Sequence, residues 1–351
     1  MGRKTIRKRL KLDEAELIEN YRRIKEEAEA EGVPVSSISS GWIKNKNASL
    51  HFKNPLFSEG GTTLDKVRDD FRSEMIKYSP NYEIIPRPKR KDPHLFVINI
   101  SDLHIGKLSS KSSTREKYNV KKAVKRAKDA VSSLLEKSMG FEIDKIFMPL
   151  GNDILHVDNS SKSTTKGTQQ DVDGNWHDNF KAARELYVEI IEQLIQVADV
   201  HICHTPSNHD YVMGYCLSDA IYCWFNKSKN ITFDLDMNHR KYFCYGNNLI
   251  GISHGDGAKV NDLPLIMANE SPKEWSNTKF RYWYLGHIHH KEVSKFRSAK
   301  DYHGVTVEYL RSPSAADTWH SVNGYQHSKQ AIEAFLHHPK EGQIGRFSHN
   351  F

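Results

Sequence analysis

Cysteine is scarce in this chain. Its 351 residues hold four, Cys203, Cys216, Cys223 and Cys244, and no two are spaced as C-x-x-C. That spacing argues against a disulfide framework and against a thiolate zinc site, and it reads all four as reduced thiols. Long apolar runs are missing too. None nears the roughly 20 residues that a membrane-spanning helix needs. The basic N-terminus, MGRKTIRKRLK, is not followed by the apolar segment of a secretory signal. Ile6 stands where a myristoylation signal has Ser or Thr. There is no internal repeat and no heptad array. These absences predict a soluble, cytoplasmic protein with no membrane partner, and they leave its oligomeric state open, a dimer included.

Charge is unevenly spread. The net charge is +7, and Met1–Asp92, with 20 Lys/Arg against 15 Asp/Glu, carries +5 of it. The excess sits in GRKTIRKRLK and in RPKRK (Arg87–Lys91). Such runs suit a polyanionic partner, with a merely solvated tail as the plainer alternative. We read residues 1–92 as a basic appendage and linker, and 93–351 as the main domain. Within the appendage, Leu12–Glu31 and Thr63–Tyr78 have helical spacing. GWIKNKNASLHFKNPLF mixes aromatics with lysine and reads as a small core in preference to a base-stacking surface. Pro80, Pro86, Pro88 and Pro93 mark a linker.

From Leu95 the texture changes. Short apolar runs at Leu95–Ile100, Lys145–Leu150 and Asp199–Thr205 alternate with helical patterns at Val120–Lys137 and Asn179–Val197. Lys241–Tyr245 and Leu249–Ser253 flank GNN as a hairpin, and Arg281–Leu285, Gly304–Leu310 and the segment after Gln330 read as further strands. The early alternation predicts an α/β protein; the later hairpins predict a mixed sheet or two sheets.

Polar residues collect at the strand ends. Leu95–Ile100 runs into Asp102 and His104; Lys145–Leu150 into Gly151, Asn152, Asp153 and His156; Asp199–Thr205 into Asn208, His209 and Asp210. Leu249–Ser253 runs into His254, and Arg281–Leu285 into Gly286, His287 and His289. One D-x-H pair is common by chance. Five such blocks at strand ends, where α/β sheets bind ligands, are not. We expect Asp102 and His104 to share a face, as residues i and i+2 of a strand do. Carboxylate, amide and imidazole donors suit Mn²⁺, Fe or Zn²⁺. Seven candidate ligands exceed the needs of one ion. Two ions sharing a carboxylate fit better, and such a pair promotes phosphoryl displacement.

These blocks resemble those of the calcineurin-like metallophosphoesterases: D-x-H, G-D, G-N-H-D/E, a later lone His and G-H-x-H, in that order. The likeness runs from about Leu95 to Phe351. It implies an α/β/β/α sandwich of two mixed sheets flanked by helices, and two divalent ions, Mn²⁺ first and Fe or Zn²⁺ as alternatives. Carried over, it assigns Asp102, His104 and His289 to one ion and Asn208, His254 and His287 to the other, with Asp153 bridging. His209 becomes the acid that protonates the leaving oxygen, and Asp210 the residue that orients its ring.

Two blocks depart from the pattern. The second reads G-N-D, so Asn152 is an insertion beside the bridge, and the third has Ser207 in place of Gly. GNDILHVD and PSNHD also lack the arginines by which Ser/Thr phosphatases grip a phosphomonoester. DILH is similar to the D-L-F-H of the DNA-repair exonuclease branch, and phage-encoded relatives look similar as well. With the basic appendage, this predicts a metal-dependent phosphodiesterase, a nuclease cleaving DNA. A phosphodiesterase or phosphatase for small molecules such as cyclic nucleotides is the alternative, and a non-catalytic metal-binding scaffold is the third reading. Asn152, His156, Lys162 and Lys166 are the candidate substrate contacts. His201 and His204 read as structural, His290, His337 and His338 as solvated, and Trp275, Trp283 and Trp319 as packing residues.

Overall fold

A computed structural model describes residues 22, 25, 26, 28–30, 38, 40–44, 49–53, 79–114, 116–288, 299–316 and 329–351. The chain divides into two compact units, Met1–Lys77 and Tyr78–Phe351. In the first, residues 22, 25, 26 and 28–30 are helical, and β1 (Ser40–Lys44) pairs antiparallel with β2 (Ser49–Lys53). Trp42, expected in a small core, is 64% exposed: it projects from the hairpin. The helix expected over Thr63–Tyr78 lies outside the described residues.

The second unit is built on two mixed sheets. The first has the order β13-β12-β3-β4-β5-β6, with β3 (Pro93–Asn99), β4 (Glu142–Gly151), β5 (Asp199–Thr205) and β6 (Ile231–Asp234) parallel. β12 (Ala331–His338) and β13 (Gly342–Asn350) extend it antiparallel. The second has the order β10-β11-β9-β8-β7. In it β8 (Asn248–Ser253), β9 (Phe280–Leu285) and β11 (Val305–Tyr309) run parallel, and β7 (Lys241–Tyr245) and β10 (Ala299–Tyr302) close the edges antiparallel.

Period-two burial makes the layers. Leu95 and Val97 of β3 face Ile250, Ile252, Tyr284 and Phe335 in the core between the sheets. Phe96 and Ile98 point the other way, onto α1 (Val120–Lys137), α2 (Trp176–Val197) and α3 (Tyr211–Phe225). Leu249, Trp283 and Leu285 pack outward with Leu263 and Met267 of α4 (Leu263–Glu270). A strand covered on both faces is apolar throughout, which is why LFVIN shows no polar alternation. The result is two mixed sheets flanked by helices, the α/β/β/α sandwich that the resemblance implies.

The segment from Ser79 to Asp92 packs on this second unit. Tyr82 and Ile85 cover its core, and Arg87 Nε donates to Asp199 Oδ1 at 2.9 Å and its guanidinium to the Ile195 carbonyl. Arg87, read as part of a basic patch, is therefore taken up in an intramolecular ion pair. No helix among the described residues is long and apolar enough to cross a membrane.

Candidate metal centre

The carboxyl ends of β3, β4 and β5 share one edge, since these strands are parallel, and β8 and β9 end together in the other sheet. The strands themselves stop short of the site. β3 ends at Asn99, and Asp102 and His104 lie beyond it, so a shared strand face is not what aligns them. Their loop is threaded against the one after β4: Asp102 N donates to Asn152 O (2.9 Å) and His104 N to Asp153 O (3.0 Å).

The backbone there is strained. Among the described residues, seven other than glycine have positive φ, and five are Asp102 (56°), His104 (48°), Asn152 (60°), Asp153 (61°) and His287 (68°). Each costs on the order of 1 kcal/mol or more, and such residues cluster where function holds them. Gly286 permits the approach: a Cβ there would stand 2.0 Å from Ser101 Oγ and 2.8 Å from both Asp102 Oδ2 and Asn152 Oδ1.

The side chains converge as two groups around Asp153. His254 Nε2 lies 2.8 Å from Asn208 Oδ1, 3.2 Å from His287 Nδ1 and 3.2 Å from Asp153 Oδ2. On the other side, His104 Nε2 is 4.0 Å from the same Asp153 oxygen, and Asp102, His104 and Asp153 offer oxygen and nitrogen atoms within 4.8 Å of one another. Asp102 also receives the His287 N–H at 3.1 Å and the Ser101 hydroxyl. His289, the remaining expected ligand, lies outside the described residues.

Asp153 Oδ2 is the test of fit. It is fully buried and close to two imidazole nitrogens, yet no hydrogen bond of good geometry reaches it. Its other oxygen accepts from His209 N at 3.0 Å. A buried carboxylate oxygen grouped with an amide oxygen and imidazole nitrogens is a donor set for a divalent cation. The charges agree. Burial would raise the Asp153 carboxyl, but His254 beside it holds it well below the usual carboxylate range. Burial would lower His254, but the same pairing lifts it to about 9. A divalent ion bound between them would take over the role of that proton.

Several expected roles change. Asp210 was expected to orient His209. Instead His209 Nδ1 donates to the His156 carbonyl at 2.9 Å. Asp210 is buried, and its oxygens accept from Leu155 N (2.8 Å) and Ser207 Oγ (2.6 Å), which ties the loops after β4 and β5 together. Burial, then the nearby Asp153, pushes its carboxyl up to about 7. Ser207, which departs from the Gly pattern, accepts the Asp153 N–H at 2.8 Å and so pins the bridge candidate.

Asn152 and His156 were expected to touch substrate, yet both are buried behind the ligands. His156 Nδ1 lies 3.4 Å from His104 Nδ1, and its ring stacks on His209 at 5.3 Å. Lys162 and Lys166 are exposed, in a loop that closes on the site through Thr165 N and the Asn208 carbonyl, 3.2 Å apart. Sequence reasoning missed Asn99, Ser101 and Ser312, whose polar groups brace Asn152 and Asp102. Small polar residues of this kind leave no periodic signal. His337 is not solvated. It is fully buried between the sheets, with Nε2 2.9 Å from the Tyr284 hydroxyl.

No protein-family model matches the chain, and no curated protein matches it. Solved structures similar to it include Vps29 from Chaetomium thermophilum, 12% identical with a TM-score of 0.33, covering 73% of this chain and 97% of that one. A double mutant of Vps29 from Entamoeba histolytica is 11% identical with a TM-score of 0.25, covering 46% and 88%. Likeness at that level assigns neither a family nor a role.

Proposed function

We propose that the chain is a metal-dependent phosphodiesterase of the calcineurin-like metallophosphoesterase type, and that its substrate is DNA. The observation that carries this reading is the convergence of Asp153, Asn208, His254 and His287, drawn from four separate loops, on one point beside Asp102 and His104. Two divalent ions, when bound, supply a water of lowered pKa and clamp both oxygens of an in-line displacement. In this reading Asp102 and His104, with His289, would hold one ion, Asn208, His254 and His287 would hold the other, and Asp153 would be shared between them.

The chain's own residues do the rest. The His156 carbonyl fixes the proton on His209 Nδ1, which leaves Nε2 as the atom that holds and releases a proton. His209 thereby suits protonation of the leaving oxygen. Lys162 and Lys166, exposed on the loop whose Thr165 N meets the Asn208 carbonyl, are the cations that this reading assigns to a phosphate backbone. The missing phosphatase arginines and the basic N-terminal unit favour a nucleic acid over a phosphoprotein.

The test is one panel. The purified chain with Mn²⁺ is offered single-stranded DNA, duplex DNA, RNA, cyclic nucleotides and a phosphopeptide. This reading expects DNA to be cleaved and chelation to stop it. Turnover of cyclic nucleotides with DNA left intact would replace it by the small-molecule alternative.

A further inference from the structure

We propose that Asn152, the residue inserted into the G-D block, is a positioning residue that sets which nitrogen of His254 faces the metal centre. This inference rests on the reading of the site as a metal centre. Asn152 is fully buried. Its side chain is held at both ends. Nδ2 donates to Asn99 Oδ1 at 3.2 Å, and Oδ1 lies 2.7 Å from His254 Nδ1. An amide oxygen only accepts, so this contact requires the proton on Nδ1 of His254. Nε2, which faces the Asn208 amide oxygen, Asp153 and His287, is left as the nitrogen that a metal ion would take in place of its proton.

The amide has little freedom to move. Gly286 packs so closely that any Cβ there would stand 2.8 Å from Asn152 Oδ1. The backbone is fixed as well: Asn152 N donates to Thr205 O and its carbonyl accepts from Asp102 N, each at 2.9 Å. One residue thus braces both halves of the centre, Asp102 through its backbone and His254 through its side chain. A ligating histidine needs such a partner on its other nitrogen to hold the ring and the tautomer. A plain G-D block has no side chain here to supply it. The amide also orients the ring without adding a negative charge beside it.

Asn152→Gly and Asn152→Asp test this, and both residue types tolerate the positive φ of this position. Parent and variants are titrated with Mn²⁺ by calorimetry. Histidine ¹⁵N shifts are then read on the diamagnetic Zn²⁺-loaded proteins. The parent should bind two ions, with the proton of His254 on Nδ1. Asn152→Gly should bind one ion about 10–100-fold more weakly, leave the other within a few-fold of the parent, and lose the single His254 tautomer. Asn152→Asp keeps an acceptor and should restore both the affinity and the tautomer.

Parent-like affinities in Asn152→Gly would overturn the inference while leaving the metal reading intact. So would an Asn152→Asp protein as weak as Asn152→Gly. A parent that binds fewer than two ions would overturn the metal reading, and the inference with it.

Discussion

Oδ1 of Asn208 and Nε2 of His254 stand 2.8 Å apart, although one follows a strand of the six-stranded sheet and the other a strand of the five-stranded sheet. The contact joins loops of the two sheets at the candidate metal centre, and an ion bound there would belong to both sheets. Replacing Asn208 by alanine should cost the second ion. Replacing Asp153, which both groups face, should cost both. Elemental analysis of purified protein checks this: a stoichiometry near two in the parent should fall to about one in Asn208→Ala and toward none in Asp153→Ala.

In the proposed site His209 is the acid and not a ligand, although its ring offers a nitrogen within 4.8 Å of those of His104 and His156. His209→Ala should therefore keep the parent's metal content. Its rate should fall by about 10²–10⁴-fold on substrates with poor leaving groups, and far less on an activated aryl phosphodiester whose leaving group needs no proton. Paired kinetics on DNA and on the aryl ester measure the difference. Equal losses on both substrates would remove the acid role.

His337 gives the fold a pH dependence away from the metal centre. Burial lowers its imidazole from the ordinary 6.5 to about 3, and it faces the Tyr284 hydroxyl and the Tyr282 ring. The neutral ring is the native form. Its contribution is whole above pH 6.5, where neither state binds the proton. Below that the unfolded chain takes up a proton that the folded chain refuses, so stability is lost progressively as pH falls toward 3. Each pH unit in that window costs about 1.4 kcal/mol from this residue. Urea denaturation between pH 7 and pH 4 should show the loss, and His337→Gln should flatten it.

The N-terminal unit ends at Lys77, and the stretch after it is part of the larger unit. A deletion meant to test the role of the basic appendage should accordingly remove Met1–Lys77 and keep the Arg87–Asp199 pair. The shortened protein should stay folded, bind DNA more weakly and show a shallower dependence of log affinity on log salt, because fewer phosphate contacts release fewer counterions. Fluorescence anisotropy from about 50 to 200 mM salt measures the slope. An unchanged slope would give the appendage another role.

Most of the sandwich was legible because buried parallel strands are short apolar runs that end in glycine and polar residues. Asp199–Thr205 and Lys241–Tyr245 are strands over the residues that the sequence predicts. Tyr211–Phe225 was not read as a helix, because YVMGYCLSDAIYCWF is apolar nearly all round and hides a 3.6-residue period. His337 was misread because an HH doublet at a strand end looks solvated, whereas the strand's alternation turns one of the pair into the space between the sheets. At the site, the residue types and their order could be read, but their partners could not. That His209 bonds to a carbonyl, and that Asn152 faces His254, depends on left-handed backbone in loops that only the assembled edge imposes.

The most direct measurement is anomalous diffraction from a crystal of the full chain grown with Mn²⁺. The account predicts two peaks about 3.5–4 Å apart, one on each side of Asp153, bounded by Asp102 and His104 on one flank and by Asn208, His254 and His287 on the other. No anomalous density among those side chains, at a manganese concentration that saturates uptake in solution, would contradict it.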